Sequence, residues 1–109
     1  MSQSERIAAA REIAEQDAAV DAKMQPSAGM NYIGGVRMLA LIEEAWQSSH
    51  GAEAVADVVQ AYHNVYRASV AGAPSWAERI EHIRKDLPDA FTHEQWRAVQ
   101  EAMKQRGVR

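Results

Sequence analysis

A chain of 109 residues with 47% hydrophobic and 25% charged side chains has the length for one hydrophobic core and is too apolar for intrinsic disorder, so residues 1–109 read as a single domain. Absence of cysteine excludes disulfides, thiolate zinc sites and cysteine nucleophiles, and a formal net charge of −3 lacks the basic excess usual in phosphate-binding proteins. Phe, Trp and Tyr together reach only 6%, and much of the remaining apolar content is alanine, which favours helix without filling much volume.

The opening Met1-Ser2-Gln3-Ser4-Glu5-Arg6 shows neither a signal-peptide core nor a membrane span, and the expectation is a cytoplasmic protein without a membrane partner. Ser2 to Glu5 is the first of three Ser/Thr-x-x-Glu/Gln patterns that cap helix starts; Ser75 to Glu78 and Thr92 to Gln95 are the others. A long first helix is expected over about 4–24, ended by the breaker cluster Gln25-Pro26-Ser27-Ala28-Gly29. Its apolar stripe of Ile7, Ala10, Ile13, Ala14, Val20 and Met24 is thin and is interrupted by Asp17, which suits a helix at the domain edge or against a partner.

The second helix is expected over about 36–49, starting as early as Asn31 if Gly34 and Gly35 are tolerated within it, with Gly51 closing it. Val36, Met38, Leu39, Leu41, Ile42, Ala45 and Trp46 span well over half of its circumference at about 100° per residue, so this helix needs more than one packing surface. The third, about 52–71, sets Val55, Val58, Val59, Tyr62, Val65 and Tyr66 at the spacing of one face. Its two tyrosines are expected at the core border with their hydroxyls in water. A fourth helix over about 76–86 is stopped by Pro88. A fifth, over about 93–105, opens with the Thr92 cap, where Phe91 and Trp96 occupy the positions of a hydrophobic staple. No strand pattern or repeat interrupts these, and the expected fold is all-α, a single small domain of about five helices.

Few residues suggest chemistry. Of the four histidines, His50 and His93 sit at helix ends, where an imidazolium or a capping turn accounts for them. Glu78 and His82 are four apart and could share a metal, with His63 as a further ligand, but no His-Glu-x-x-His pair exists, and no metal or cofactor is expected. Tyr62, His63, Tyr66 and Arg67 form a polar-aromatic patch on one helix, which alone does not converge into a pocket. Gly34-Gly35 matches no phosphate-loop pattern, and no Ser/His/acid spacing indicates a hydrolase. An alternative places a nucleic-acid contact on the last two helices through Arg97, Lys104 and Arg106, although Glu94 and Glu101 dilute them and direct nucleic-acid binding is not the favoured reading. The feature that stands out is the apolar, methionine-bearing stretch Met30, Tyr32, Ile33, Val36, Met38, Leu41 and Ile42. These are the candidate partner-binding residues, since methionine adapts to irregular protein surfaces; the same stripe reads equally as core.

The segments Asn31-Tyr32-Ile33-Gly34-Gly35-Val36-Arg37-Met38-Leu39 and Tyr62-His63-Asn64-Val65-Tyr66, with the small all-helical layout, resemble the QslA-type quorum-sensing antiactivators of pseudomonads. The resemblance runs over the whole short chain, and no individual contact residue is transferred from it. It implies a helical homodimer, a non-enzymatic inhibitor that binds the ligand-binding domain of a LuxR-type transcriptional activator such as LasR, blocks activator dimerisation and prevents DNA binding.

Overall fold

The computed structural model describes residues 2–24, 33–69, 75–86 and 92–108, with the side chains of 24, 33–36, 79, 82–84 and 86 outside the description. Among the described residues the fold is all-helical: α1 (Gln3–Met24), α2 (Ile33–Gln47), α3 (Ala52–Ser69), α4 (Trp76–Asp86) and α5 (His93–Gln105). The caps account for the boundaries. Ser2 Oγ accepts from the Glu5 amide at 3.2 Å while Glu5 Oε1 accepts from the Ser2 amide at 3.3 Å, and Thr92 and Gln95 form the same reciprocal box at 3.1 and 2.9 Å. Ser75 Oγ accepts from the Glu78 amide. Phe91, the expected staple partner of Trp96, lies outside the described residues.

Two glycines have conformational reasons. Gly51 adopts φ +51° in the turn that joins α2 to α3. Gly107 adopts φ +72° after α5, where the Gly107 amide donates to Lys104 O and the Val108 amide to Met103 O. That pair of bonds satisfies carbonyls that the end of a helix leaves orphaned, and Val108 packs back on the core beside it.

α3 is the central element. Six consecutive residues, Ala54 to Val59, are buried, which at helical spacing means cover on every side. α1 lies along it in their most extensive contact, α2 and α5 pack on it, and α2 also meets α1 and α4. The core combines Met38 and Ile42 from α2, Val55, Val59, Tyr62 and Tyr66 from α3, Ile80 from α4, and Trp96, Val99 and Met103 from α5. Full burial of each aliphatic member contributes about 1.5–3 kcal/mol. The Cα radius of gyration is 13.0 Å, as expected of a chain this long folded as one compact unit. No helix of the described residues is long and apolar enough to cross a membrane.

Three features go beyond the sequence reading. α2 does meet more than one neighbour, packing on α1, α3 and α4, but it is α3, read as one-faced, that is covered on every side from Ala54 to Val59. The inward face of α1 is Ala10, Ala14, Asp17, Ala18 and Asp21, while Val20 is 44% exposed; Asp17 is part of the stripe, not an interruption. Tyr62 and Tyr66 are fully buried, so their hydroxyls meet protein instead of water.

Candidate functional site

The residues singled out for partner binding separate into three groups. Met38 and Ile42 are buried in the chain's own core. Leu41 is half-buried and packs against that core. Ile33 and Val36 belong to α2 with side chains outside the described set, and Met30 and Tyr32 lie outside the described residues. Met38, Ile42 and Ala45 form one line on α2 that the core takes up. On one flank of it Leu41 is half-covered, and on the other Leu39 and Trp46, seven apart and so on one side of the helix, are half-buried too. The exposed back of the helix carries Arg37, Ala40, Glu43, Glu44 and Gln47. The flanks of α2 are thus partly covered: Leu41 and Trp46 pack against the edge of the core, and Leu39 is half-buried beside Trp46.

The other notable constellation is polar and buried. Where α1 meets α3, Tyr62 donates its hydroxyl proton to Asp17 Oδ2 at 2.6 Å and Tyr66 donates to Asp21 Oδ2. Both acids and both tyrosines are four residues apart, one helical turn, so the two bonds are successive rungs between helices that run in the same direction. The rings of Tyr62 and Tyr66 stack at 5.8 Å and 21°, within the range of favourable offset stacking. Arg37 Nε of α2 stands 4.0 Å from Asp17 Oδ2 with its side chain 55% exposed, a weak contribution at that distance and exposure.

A second ionic cluster ties α1, α3 and α5 together. Asp57, whose side chain is 2% exposed, accepts from Arg6 Nε at 2.6 Å. Its other oxygen lies 2.8 Å from Arg106 Nη1, an ion pair without a hydrogen bond. Arg106 also donates to Gln60 Oε1 at 3.1 Å and to Glu53 Oε2 at 2.7 Å, although its Nε is buried without an acceptor. A carboxylate this deep is tolerable because two guanidiniums neutralise it in place.

This cluster changes the reading of α5. Arg106, a candidate phosphate contact in the sequence, has a side chain only 9% exposed and committed to Asp57 and Glu53. The outward face of α5 then holds Arg97 and Lys104 against Glu94 and Glu101, all exposed, and this balance does not build a positive patch.

The histidines are dispersed. His63 Nδ1 accepts from the Trp76 amide at 3.3 Å, bridging α3 to the start of α4. Trp76 in turn meets Trp96 edge-on at 6.0 Å. Glu78, His50 and His93 are exposed, and the His82 side chain lies outside the described set. No group of three or more His, Cys, Asp or Glu among the described residues could hold a metal ion.

Sequence reasoning did not find the buried acids. The signal was present as matched spacing, Asp17/Asp21 on one helix and Tyr62/Tyr66 on another, and as Asp57 inside an apolar run. Spacing alone does not say which helices meet. In comparisons with known proteins the chain matches no family model, no curated sequence and no solved structure.

Proposed function

We propose that this chain is a non-enzymatic interaction protein that acts in the cytoplasm as a homodimer and regulates a protein partner by covering an apolar surface. In the specific form suggested by its resemblance to the QslA-type antiactivators, the partner is a LuxR-type quorum-sensing activator, whose dimerisation and DNA binding it blocks. The supporting observation is the apolar width of α2: the core takes up Met38, Ile42 and Ala45, and Leu39, Leu41 and Trp46 reach its edge on both flanks and are only partly buried there. An apolar centre with a polar rim is the usual anatomy of a contact surface, and Glu43 and Glu44 would stand at that rim here.

The test uses Leu39→Glu, which adds a charge at the flank without touching the core. Light scattering would read the oligomeric state and a titration with a purified LuxR-type ligand-binding domain would read partner binding, with far-ultraviolet circular dichroism as the fold control. The reading expects a dimer that binds the activator domain, and a folded variant that loses one or both. A chain that is monomeric at every concentration and shows no binding to the activator domain overturns it.

A further inference from the structure

The start of α4 is held from two directions. The first amides of a helix have no acceptor within it. Ser75 Oγ accepts from the Glu78 amide at 3.3 Å, and His63 Nδ1 on α3 accepts from the Trp76 amide, also at 3.3 Å. The second bond is tertiary. It fixes α4 to α3 beside the half-buried Trp76, whose ring meets Trp96 of α5 edge-on at 6.0 Å. An imidazole nitrogen accepts only while it carries no proton, so this bond requires a neutral ring with its hydrogen on Nε2.

We infer that His63 is a proton-sensitive cap, which ties the start of α4 to α3 only while its ring is neutral. Protonation is unfavourable here for two reasons. It turns the acceptor at Nδ1 into a donor facing the Trp76 N–H, and it sets a positive charge at the positive end of the α4 dipole. Arg67, one turn further along α3, also opposes the charged ring. Glu78 and Glu81 of α4 favour it, but both are exposed, where solvent keeps such attractions small. On α1, Asp17 and Asp21 are engaged by Tyr62 and Tyr66. On α2, Arg37, Glu43 and Glu44 are exposed, and on α5, Arg106 is held by Glu53 and Asp57, about two to three turns before His63 on α3. The folded chain therefore takes up this proton less readily than the unfolded chain. Stability from this cap is fully present above the ordinary histidine value of about pH 6.5. Below it, the folding constant falls by up to about tenfold per pH unit until His63 is protonated in the folded chain too.

Long-range proton–nitrogen NMR correlation spectra of the full chain read the ring directly. Expected at neutral pH is a ring protonated on Nε2 with Nδ1 bare. On acidification, His63 should titrate about one pH unit below a histidine in water, since one hydrogen bond and one helix-end charge together are worth roughly tenfold in proton affinity. The Trp76 amide resonance should move with the same midpoint. His63→Asn supplies a second measurement, because its Oδ1 can stand in for Nδ1 and accepts at any pH. In urea titrations at about pH 7.5 and about pH 5, the folding constant of the natural chain should fall roughly tenfold more than that of the variant, as the carboxylates titrate in both. The spectra of the natural chain decide the matter even where the variant does not fold. A neutral ring protonated on Nδ1, a midpoint at or above that of a histidine in water, a Trp76 amide indifferent to the titration, or equal pH dependence in the two chains overturns the inference.

Discussion

Replacing Asp57 by alanine probes a carboxylate that, with Asp21, is the most deeply buried among the described residues. The carboxylate accepts from Arg6 at 2.6 Å and neutralises Arg106 at 2.8 Å, with side-chain exposures of 2%, 18% and 9% for the acid, Arg6 and Arg106. Removing one partner of a buried ion pair costs about 3–5 kcal/mol, because the charges left behind stay dehydrated and unpaired. Two features pull the value to the lower end. Arg6 is exposed enough to regain water, and Arg106 keeps Glu53 Oε2 at 2.7 Å and Gln60 at 3.1 Å. The expected loss is about 3 kcal/mol. For a chain of this size that lowers Tm by roughly 10 °C or more and removes a large fraction of a total stability of about 5–15 kcal/mol. Urea unfolding followed by circular dichroism measures it directly. In the triple variant Arg6→Met, Asp57→Leu, Arg106→Met, an apolar replacement of the whole cluster should recover most of the loss, as no charge is then stranded. A loss under about 1 kcal/mol for the single variant would place the cluster with solvent-screened surface pairs and refute the reasoning.

Other expected outcomes rest on independent contacts. Met38→Ala opens a cavity in the core and should cost about 2–5 kcal/mol, while Leu39→Ala on the neighbouring flank should stay near 1 kcal/mol or below; similar values for both in urea titrations would contradict the division of α2 into core line and flank. Thr92→Ala removes the capping hydroxyl of α5 and should cost about 1 kcal/mol in the same assay. Gly107→Ala meets no atom within 4 Å of the added Cβ, so its cost is the positive φ alone, about 1–2 kcal/mol; a neutral effect on Tm would mean that the turn after α5 relaxes to another conformation.

Much of the layout was legible in the chain before folding. Thr92 with Gln95 and Ser2 with Glu5 marked helix starts that the structure forms with the reciprocal bonds expected of them, and Pro88 and Gly107 marked ends. These signals are local: a cap or a breaker acts within one turn, so the residues that define it are adjacent in sequence. The bounds of the fourth and fifth helices agree with the sequence pattern for that reason. The start of α2 was less clear, because Gly34 and Gly35 weaken helix propensity while the first turn of a helix tolerates them.

The sequence by itself thus determined that the chain is helical, where most helices begin and stop, and that α2 has more apolar width than one neighbour can cover. Only the tertiary structure decided which charges go inside. Asp17 interrupts an apolar stripe on a helical wheel, and nothing in α1 announces that Tyr62 would meet it; Arg106 resembles any surface cation at the end of a helix until Asp57 and Glu53 arrive beside it. The same holds for α3, whose one-faced pattern becomes burial on every side from Ala54 to Val59 because α1, α2 and α5 all lean on it. The reason is physical: caps and turns follow from bonds between neighbours in sequence, whereas a buried charge is stable only if a partner many residues away compensates it, and that pairing exists only once the helices are packed.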